Sequence, residues 1–262
     1  MNKKVLVVGS RGFIGKHLVE KLKTLDYEVY EFDKKISPNQ DTLYFDELPA
    51  CDYCINLAGL VGLKYCLENP INGIYNNVVG PARLFEYLKG TMCKLIHIST
   101  WAVEGNLINP YDITKFAGEK LALSYMEQNF FSGCVARLGT TYGPGMSKIG
   151  VIPSMIRKLK ENKPLTIFGR GTQIRQFTFV QDTVNGIIFI MKFGKNKEIY
   201  NVVADEITSV KDIAQYLGGD IEYKEARIGD EKYKIIDNKS LKELGWEQQK
   251  SFKEGMEVMR NE

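Results

Sequence analysis

Two hydrophobic periods trade places along this chain. Val5-Leu-Val-Val8 is apolar throughout, whereas the segment that follows, Gly12 to Leu25, spaces its apolar residues along one face of a helix. The exchange recurs, with strand-like runs at Glu28 to Phe32, Tyr53 to Leu57, Lys94 to Ile98 and Gly133 to Leu138, and helix-like runs at Pro70 to Lys89 and Asp112 to Asn129. Such alternation predicts βαβ crossovers and an α/β fold whose parallel sheet is covered on both faces. Between Asp33 and Tyr53 the chain is short and carries Pro38 and Pro49, so the helix due there is expected to be truncated or absent.

After Leu138 the rhythm changes. Gly139-Thr-Thr-Tyr-Gly-Pro-Gly145 is rich in turn formers, and beyond it lie a helical stretch near Ile152 to Leu159, short β-like runs around Leu165 and Phe177, and a helix from Asp182 to Met191. Tyr200-Asn-Val-Val203, a helix from Val210 to Leu217 and a segment ending in Leu244-Gly-Trp246 follow. The expected division is residues 1–140 as a larger domain and 141–262 as a smaller lobe whose elements cross back to the first. Neither an internal repeat nor a low-complexity tract is present.

Composition narrows the classes. With 262 residues, 44% of them hydrophobic, the chain can bury a sizeable core. Its net charge of +3, without a Lys/Arg block, speaks against a nucleic-acid partner. No apolar stretch reaches the roughly 18 to 20 residues of a membrane span, and Met1 to Val8 does not read as a secretory signal, so a cytoplasmic location is expected. The five cysteines, at 51, 54, 66, 93 and 134, fit reduced thiols. Cys51-Asp-Tyr-Cys54 has redox-motif spacing, but it opens an apolar strand in which residues three apart face opposite ways. His17 and His97 are the two histidines, both read as structural, and no metal site is expected.

Two motifs carry chemistry. Gly9-Ser-Arg-Gly12-Phe-Ile-Gly15 joins the first strand to the first helix, as a dinucleotide pyrophosphate requires: a tight turn, close backbone approach and a helix N-terminus facing the anion. Asp33 stands about 20 residues further on, after the second strand, where a ribose 2′-hydroxyl needs an acceptor. The acid favours NAD, while Lys34 and Lys35 leave NADP as the alternative, receiving a 2′-phosphate if Asp33 turned away. The second motif is Tyr111-Asp-Ile-Thr-Lys115, which places a phenol and an ammonium on one helical face after a strand ending in Ser99-Thr100. A cation about 4 Å from a phenol, at an effective dielectric of about 20, lowers its pKa by roughly three units from about 10. That expectation brings Tyr111 close to neutrality, where a general acid or base works best.

At these residues the chain resembles the extended short-chain dehydrogenase/reductase family, in its nucleotide-sugar epimerase/dehydratase group. The resemblance also takes in Asn56-Leu-Ala58-Gly59, Asn77-Val-Val-Gly80, Arg137 leading to Tyr142-Gly-Pro144, Gly169 to Arg175, Val180-Gln-Asp182, Arg227-Ile-Gly-Asp230 and Leu244-Gly-Trp246. It implies a Rossmann-type doubly wound sheet with a C-terminal substrate-binding lobe, and a homodimer built on the helices around 70–89 and 112–129. By resemblance, Tyr111 is the acid/base, Lys115 assists it and holds the nicotinamide ribose, and Thr100 holds the C4 oxygen of an NDP-sugar. Gly9, Arg11, Gly12, Phe13, Ile14, Gly15, Asp33, Leu57, Ala58, Gly59 and Asn77 are the further cofactor residues it implies, and Thr140, Arg175 and Arg227 the substrate residues. Trp101-Ala102 stand where 4,6-dehydratases carry Asp-Glu, which speaks against elimination chemistry. The implied activity is an NAD-dependent 4-epimerase working through a 4-keto intermediate. An NAD(P)H-dependent 4-keto-sugar reductase is the alternative, and a non-catalytic dinucleotide-binding scaffold or sensor a third reading.

Overall fold

The computed structural model describes residues 2–105, 107–225 and 235–261. In chain order its first half comprises β1 (Lys4–Val8), α1 (Phe13–Thr24), β2 (Glu28–Phe32), β3 (Tyr53–Asn56), α2 (Leu63–Glu68), α3 (Pro70–Ile74), α4 (Gly80–Leu88), β4 (Lys94–Thr100), α5 (Pro110–Glu127) and β5 (Gly133–Leu138). The second half comprises β6 (Thr140–Tyr142), α6 (Val151–Lys160), β7 (Leu165–Phe168), β8 (Ile174–Arg175), β9 (Phe177–Phe179), α7 (Val180–Phe193), β10 (Ile199–Val202), β11 (Thr208–Ser209), α8 (Val210–Leu217), β12 (Ile221–Lys224), α9 (Lys239–Glu243) and α10 (Phe252–Asn261).

Six parallel strands form the central sheet in the order β10-β5-β4-β3-β1-β2. The apolar run of β1 is buried on both sides because the pleat sends alternate residues to different helix layers. Val5 and Val7 meet Leu18, Val19 and Leu22 of α1 and Val184 and Ile187 of α7, whereas Leu6 and Val8 share a core with Leu84 and Phe85 of α4 and Ala122 and Met126 of α5. The chain turns outward to β2 on one side of β1 and to β3 on the other. The carboxyl ends of β1 and β3 therefore open a crevice, the place where doubly wound sheets bind ligands.

One helix differs from its sequence expectation. The helix expected over Pro70 to Lys89 is interrupted by one wide π-type turn, Tyr75–Val79, which brings Asn77 against α5. A Cβ at Gly118 of α5 would stand 2.3 Å from the Asn77 carbonyl oxygen, so only glycine lets the two segments approach this closely. β4 runs to Thr100, so Ser99 and Thr100 end the strand as the second motif expects. Between Asp33 and Tyr53 the expectation holds: the only helical piece is the short 3₁₀ turn Pro38–Gln40. The C-terminal half returns α7 and β10 to the main sheet, with β10 pairing β5. The rest of that half packs α6, α8 and α10 around a third core that includes Tyr142, Ile152, Leu165, Phe177 and Met256. Cys51 is half-buried with its Sγ 3.2 Å from Cys93 Sγ, and all five cysteines are free thiols. Among the described residues no cluster of metal-ligating side chains occurs, and no helix is long and apolar enough to cross a membrane.

Candidate active site

The glycine turn is tight for reasons of contact. Gly9 has φ +84°, and a Cβ on it would lie 2.7 Å from Ala58 N, while one on Gly15 would lie 2.3 Å from Gly9 O. A Cβ on Gly12 would come 3.2 Å from Gly9 O, a closer approach than most side chains make. Helix α1 starts without a side-chain cap and without an acid in its first turn. The amides of Phe13, Ile14 and Gly15 thus lie at an uncapped, electropositive end suited to a phosphate.

Asp33 closes the other side. Its Oδ2 accepts from Arg11 N and its Oδ1 from Lys35 N, both at 2.9 Å, so the carboxylate is fixed while each oxygen keeps a lone pair for a ribose hydroxyl. It borders a cavity of ≈ 210 Å³ together with Gly9, Gly12, Leu57, Ala58 and Gly59. The Arg11 guanidinium turns away to Glu31, 3.1 Å distant, leaving Arg11 to act through its backbone. Lys34 leans towards Asp41, 3.6 Å away. Asn77 is spent within the protein: it accepts from Leu60 N at 2.8 Å and donates to Leu60 O at 3.1 Å and Thr114 Oγ1 at 3.0 Å. Its role in this structure is to hold the loop at Gly59–Leu60 against α5. The residues around this crevice fit a dinucleotide, since the space that side chains would fill is kept open by glycines and the polar groups on its rim are oriented.

The groups expected to react stand at and beside the end of β4. Thr100 Oγ1 accepts from Ala102 N at 3.4 Å, starting the 3₁₀ turn Trp101–Glu104. Helix α5 begins at Pro110 with Asn109 as its cap, Asn109 Oδ1 accepting from Asp112 N at 2.9 Å. Tyr111 therefore sits in the first turn, with its phenol towards Thr100 at the end of β4. Lys115, one turn later and buried, donates from Nζ to Ile98 O at 2.6 Å. Burial pushes the Tyr111 phenol up to about 12, against a smaller lowering by the nearby Thr100 hydroxyl, and Asp112 raises it further. Burial also brings the Lys115 ammonium down to about 8, with Glu119 opposing. This corrects the expected depression of the phenol by its i+4 lysine: the ammonium points at the Ile98 carbonyl, and desolvation of Tyr111 governs in the protein without ligand.

Behind these groups lies a network with no counterpart in the sequence reading. Ser99 Oγ donates to Glu119 Oε2 at 2.7 Å, and Arg137 reaches Glu119 Oε2 through Nε at 2.9 Å and Glu104 Oε1 through Nη1 at 2.8 Å. His97 packs edge-on to Phe85 and near Asn56 Nδ2, and burial lowers its pKa, so the imidazole is neutral. His17 Nε2 lies 2.9 Å from Pro144 O, joining α1 to the loop after β6.

A second cavity, of ≈ 440 Å³, opens in the C-terminal half. Its walls include Ser154, Arg157, Lys158, Phe168, Gln173 and Arg175. Arg175 also sits over the Trp101 ring, its Cζ 5.7 Å from the ring centroid. Thr140 is half-buried at the start of β6, where it pairs with Phe177. Arg227 lies outside the described residues. The cations of α6 went unread as site residues, although their clustering in its last turn was visible in the sequence.

The profile of the NAD dependent epimerase/dehydratase family matches residues 5–203, which span β1 through β10 and hold both the glycine turn and the Tyr111–Lys115 pair. The chain belongs to this family. It is an NAD-dependent sugar-nucleotide enzyme by that membership, consistent with the doubly wound sheet. A UDP-glucuronic acid decarboxylase of Arabidopsis thaliana is 27% identical over 307 residues, covering 100% of this chain and 89% of the relative. Among solved structures, a UDP-glucuronic acid 4-epimerase from Bacillus cereus, in complex with UDP-glucuronic acid and NAD, superposes with a TM-score of 0.85 at 26% identity, covering 98% of each chain. A UDP-glucose 4-epimerase from Thermotoga maritima, with UDP-glucose, does so with a TM-score of 0.86 at 25% identity, covering 98% of this chain and 97% of the other.

Proposed function

We propose that this member of the family is a nucleotide-sugar 4-epimerase in which Tyr111 is the acid/base at the C4 hydroxyl. The carrying observation is that α5 sets Tyr111 and Lys115 against the carboxyl end of β4, where Thr100 stands, beside a crevice that suits NAD. Bound NAD supplies the hydride acceptor and donor at the carbinol carbon. Thr100 holds the C4 oxygen and donates to the phenolate, while Tyr111 moves the proton. Lys115 has three donor hydrogens, one on Ile98 O, which leaves others for the nicotinamide ribose. Gly9, Arg11, Gly12, Phe13, Ile14, Gly15, Asp33, Leu57, Ala58 and Gly59 form the cofactor cradle, with Asn77 bracing it.

The sugar nucleotide lies along the second cavity, with Arg175 on the diphosphate and Thr140 near the sugar. A planar, permanently charged fork suits that role. In this reading residues 1–140 hold NAD and the lobe from 141 onward holds the NDP-sugar. The enzyme works in the cytoplasm as a homodimer, supported by the exposed apolar side chains Ile71, Ile74 and Ile113 on α3 and α5.

Trp101 favours one second reading, a 4-keto-sugar reductase. Its bulk directly after Thr100 narrows the space in which a keto-sugar would turn over. Incubating the purified protein with UDP- and dTDP-hexoses, and following C4 configuration by NMR and cofactor by absorbance, separates the two. Interconversion of C4 epimers without net cofactor change is expected. Stoichiometric NAD(P)H consumption with a 4-keto-sugar would establish the reductase instead, and unchanged turnover in Tyr111→Phe would remove the catalytic assignment.

A further inference from the structure

Trp101 and Arg175 are 74 positions apart in sequence and belong to different halves of the fold, yet the guanidinium stands over the indole ring at 5.7 Å. Trp101 follows Thr100 directly and opens the 3₁₀ turn that Thr100 caps, so the indole is anchored to the strand end that carries the reactive hydroxyl. Arg175, from β8, lines the ≈ 440 Å³ cavity with Arg157 and Lys158. One pair of side chains thus spans the distance between the hydroxyl-handling end of the site and its cationic end.

A guanidinium has two separate recognition surfaces. Its face stacks on an aromatic ring, while its N–H groups lie in the plane and point outward. The indole beside the guanidinium removes rotamer freedom that a long side chain would otherwise lose on binding an anion. One donor, Nη1, is on Ile174 O at 2.7 Å, which fixes the fork a second time.

Resting on the reading that Arg175 grips the diphosphate, we propose that Trp101 is the positioning residue for that grip. Its indole also forms the wall against which the pyranose lies between diphosphate and C4. The sugar class it takes is a pyranose presenting a C–H face to the ring. Trp101 thereby couples nucleotide binding to the placement of C4 at Thr100.

Fluorescence and calorimetry test this together. The chain has two tryptophans, and Trp246 is 1% exposed with its Nε1 donating to Asp182 O, so it provides a constant background. Titrating the NAD-loaded enzyme with UDP or dTDP should change the emission, and Trp101→Phe should abolish that change. Calorimetric affinity for the same nucleotide should fall about five- to tenfold in Trp101→Ala and be largely restored in Trp101→Phe, which keeps a π face. Trp101→Ala combined with Arg175→Met should bind no worse than Arg175→Met alone, the non-additivity expected of one coupled unit. Nucleotide binding with unchanged affinity in Trp101→Ala, or strict additivity in the double variant, would overturn the positioning role and leave the active-site reading standing. Failure of both nucleotides to bind the parent enzyme would overturn that reading and this inference with it.

Discussion

Arg137 of β5 holds Glu119 of α5 through two contacts, Nε to Oε2 at 2.9 Å and Nη2 to Oε1 at 2.5 Å. The carboxylate is 0% exposed and lies one turn beyond Lys115, so this pair docks the helix carrying Tyr111 and Lys115 onto the sheet. Glu104 takes the remaining arm of the guanidinium at 2.8 Å and ties in the turn after Thr100.

Removing the arginine strands a buried charge. Arg137→Met should destabilise the protein by about 3–5 kcal/mol, lowering Tm by roughly 6–20 °C for a chain of this size class. Glu104→Gln keeps a neutral acceptor at a half-exposed position, and its Tm should fall by much less. A thermal melt of Arg137→Met within 2 °C of the parent, taken as an approximate threshold on the same scale, would show that the network does not stabilise the fold.

Lys115 is held at about 8 by burial, below its ordinary value of 10.5. Its folded-state pKa is depressed, so between pH 8 and 10.5 the unfolded chain binds more protons and stability rises with pH. The penalty of the buried ammonium is complete below pH 8 and relieved as pH climbs through that window. Lys115→Met should therefore gain stability relative to the parent at pH 7, and this relative gain should shrink on going to pH 10.5. Parallel urea melts at the two pH values measure it; a difference that does not move with pH contradicts the depressed pKa.

For the phenol the direction is opposite. Tyr111 is raised to about 12 by burial, so the free protein should show no Tyr111 ionisation below about pH 11. Absorbance near 295 nm should be the same in the parent and in Tyr111→Phe up to that pH. A phenolate lost by the substitution near pH 8 would mean that Lys115 already controls the tyrosine before any ligand binds.

Gly15→Ala should be the most disruptive small change in the cofactor crevice. Its Cβ would fall 2.3 Å from Gly9 O, a backbone atom that cannot swing aside. Loss of NAD binding by calorimetry is expected, with a fall in Tm. Retained NAD affinity would show that the turn and helix separate more readily than their packing implies.

Asp33→Ser removes the acceptor that fastens Arg11 N and Lys35 N. NAD affinity should drop about tenfold, the scale of one charge-assisted hydrogen bond, and the preference for NAD over NADP should narrow. An unchanged ratio of the two affinities would place cofactor discrimination elsewhere.

Much of the fold was legible because its cues are local. The apolar runs of β1 and β4 announced strands buried on both faces, and Gly9, Gly12 and Gly15 announced a turn that side chains would block. The spacing of Tyr111 and Lys115 correctly placed them one helical turn apart, but it carried no information on where Nζ points. The wide turn at Tyr75–Val79 was invisible, since weak helix formers such as Tyr, Asn and Val also occur in regular helices and the turn fits Asn77 against Thr114 and Gly118 across the chain. Asn77 reads as a cofactor residue in sequence, and the structure adds a bracing contact that sequence does not show, with its amide joined to Leu60 and Thr114.

What the sequence determined by itself is whatever backbone sterics and periodicity enforce within a few residues: the strand, glycine turn and helix at the N-terminus, the order of the βαβ units, and a phenol and a lysine on one helix. Only the tertiary structure decided which groups meet across the chain and how dry they are. Arg137 finds Glu104 and Glu119, Arg175 finds Trp101, and the ionisation of Tyr111 and Lys115 is set by burial ahead of their sequence neighbours. Desolvation and long-range contact depend on how the layers close over one another, and no window of the sequence contains that closure.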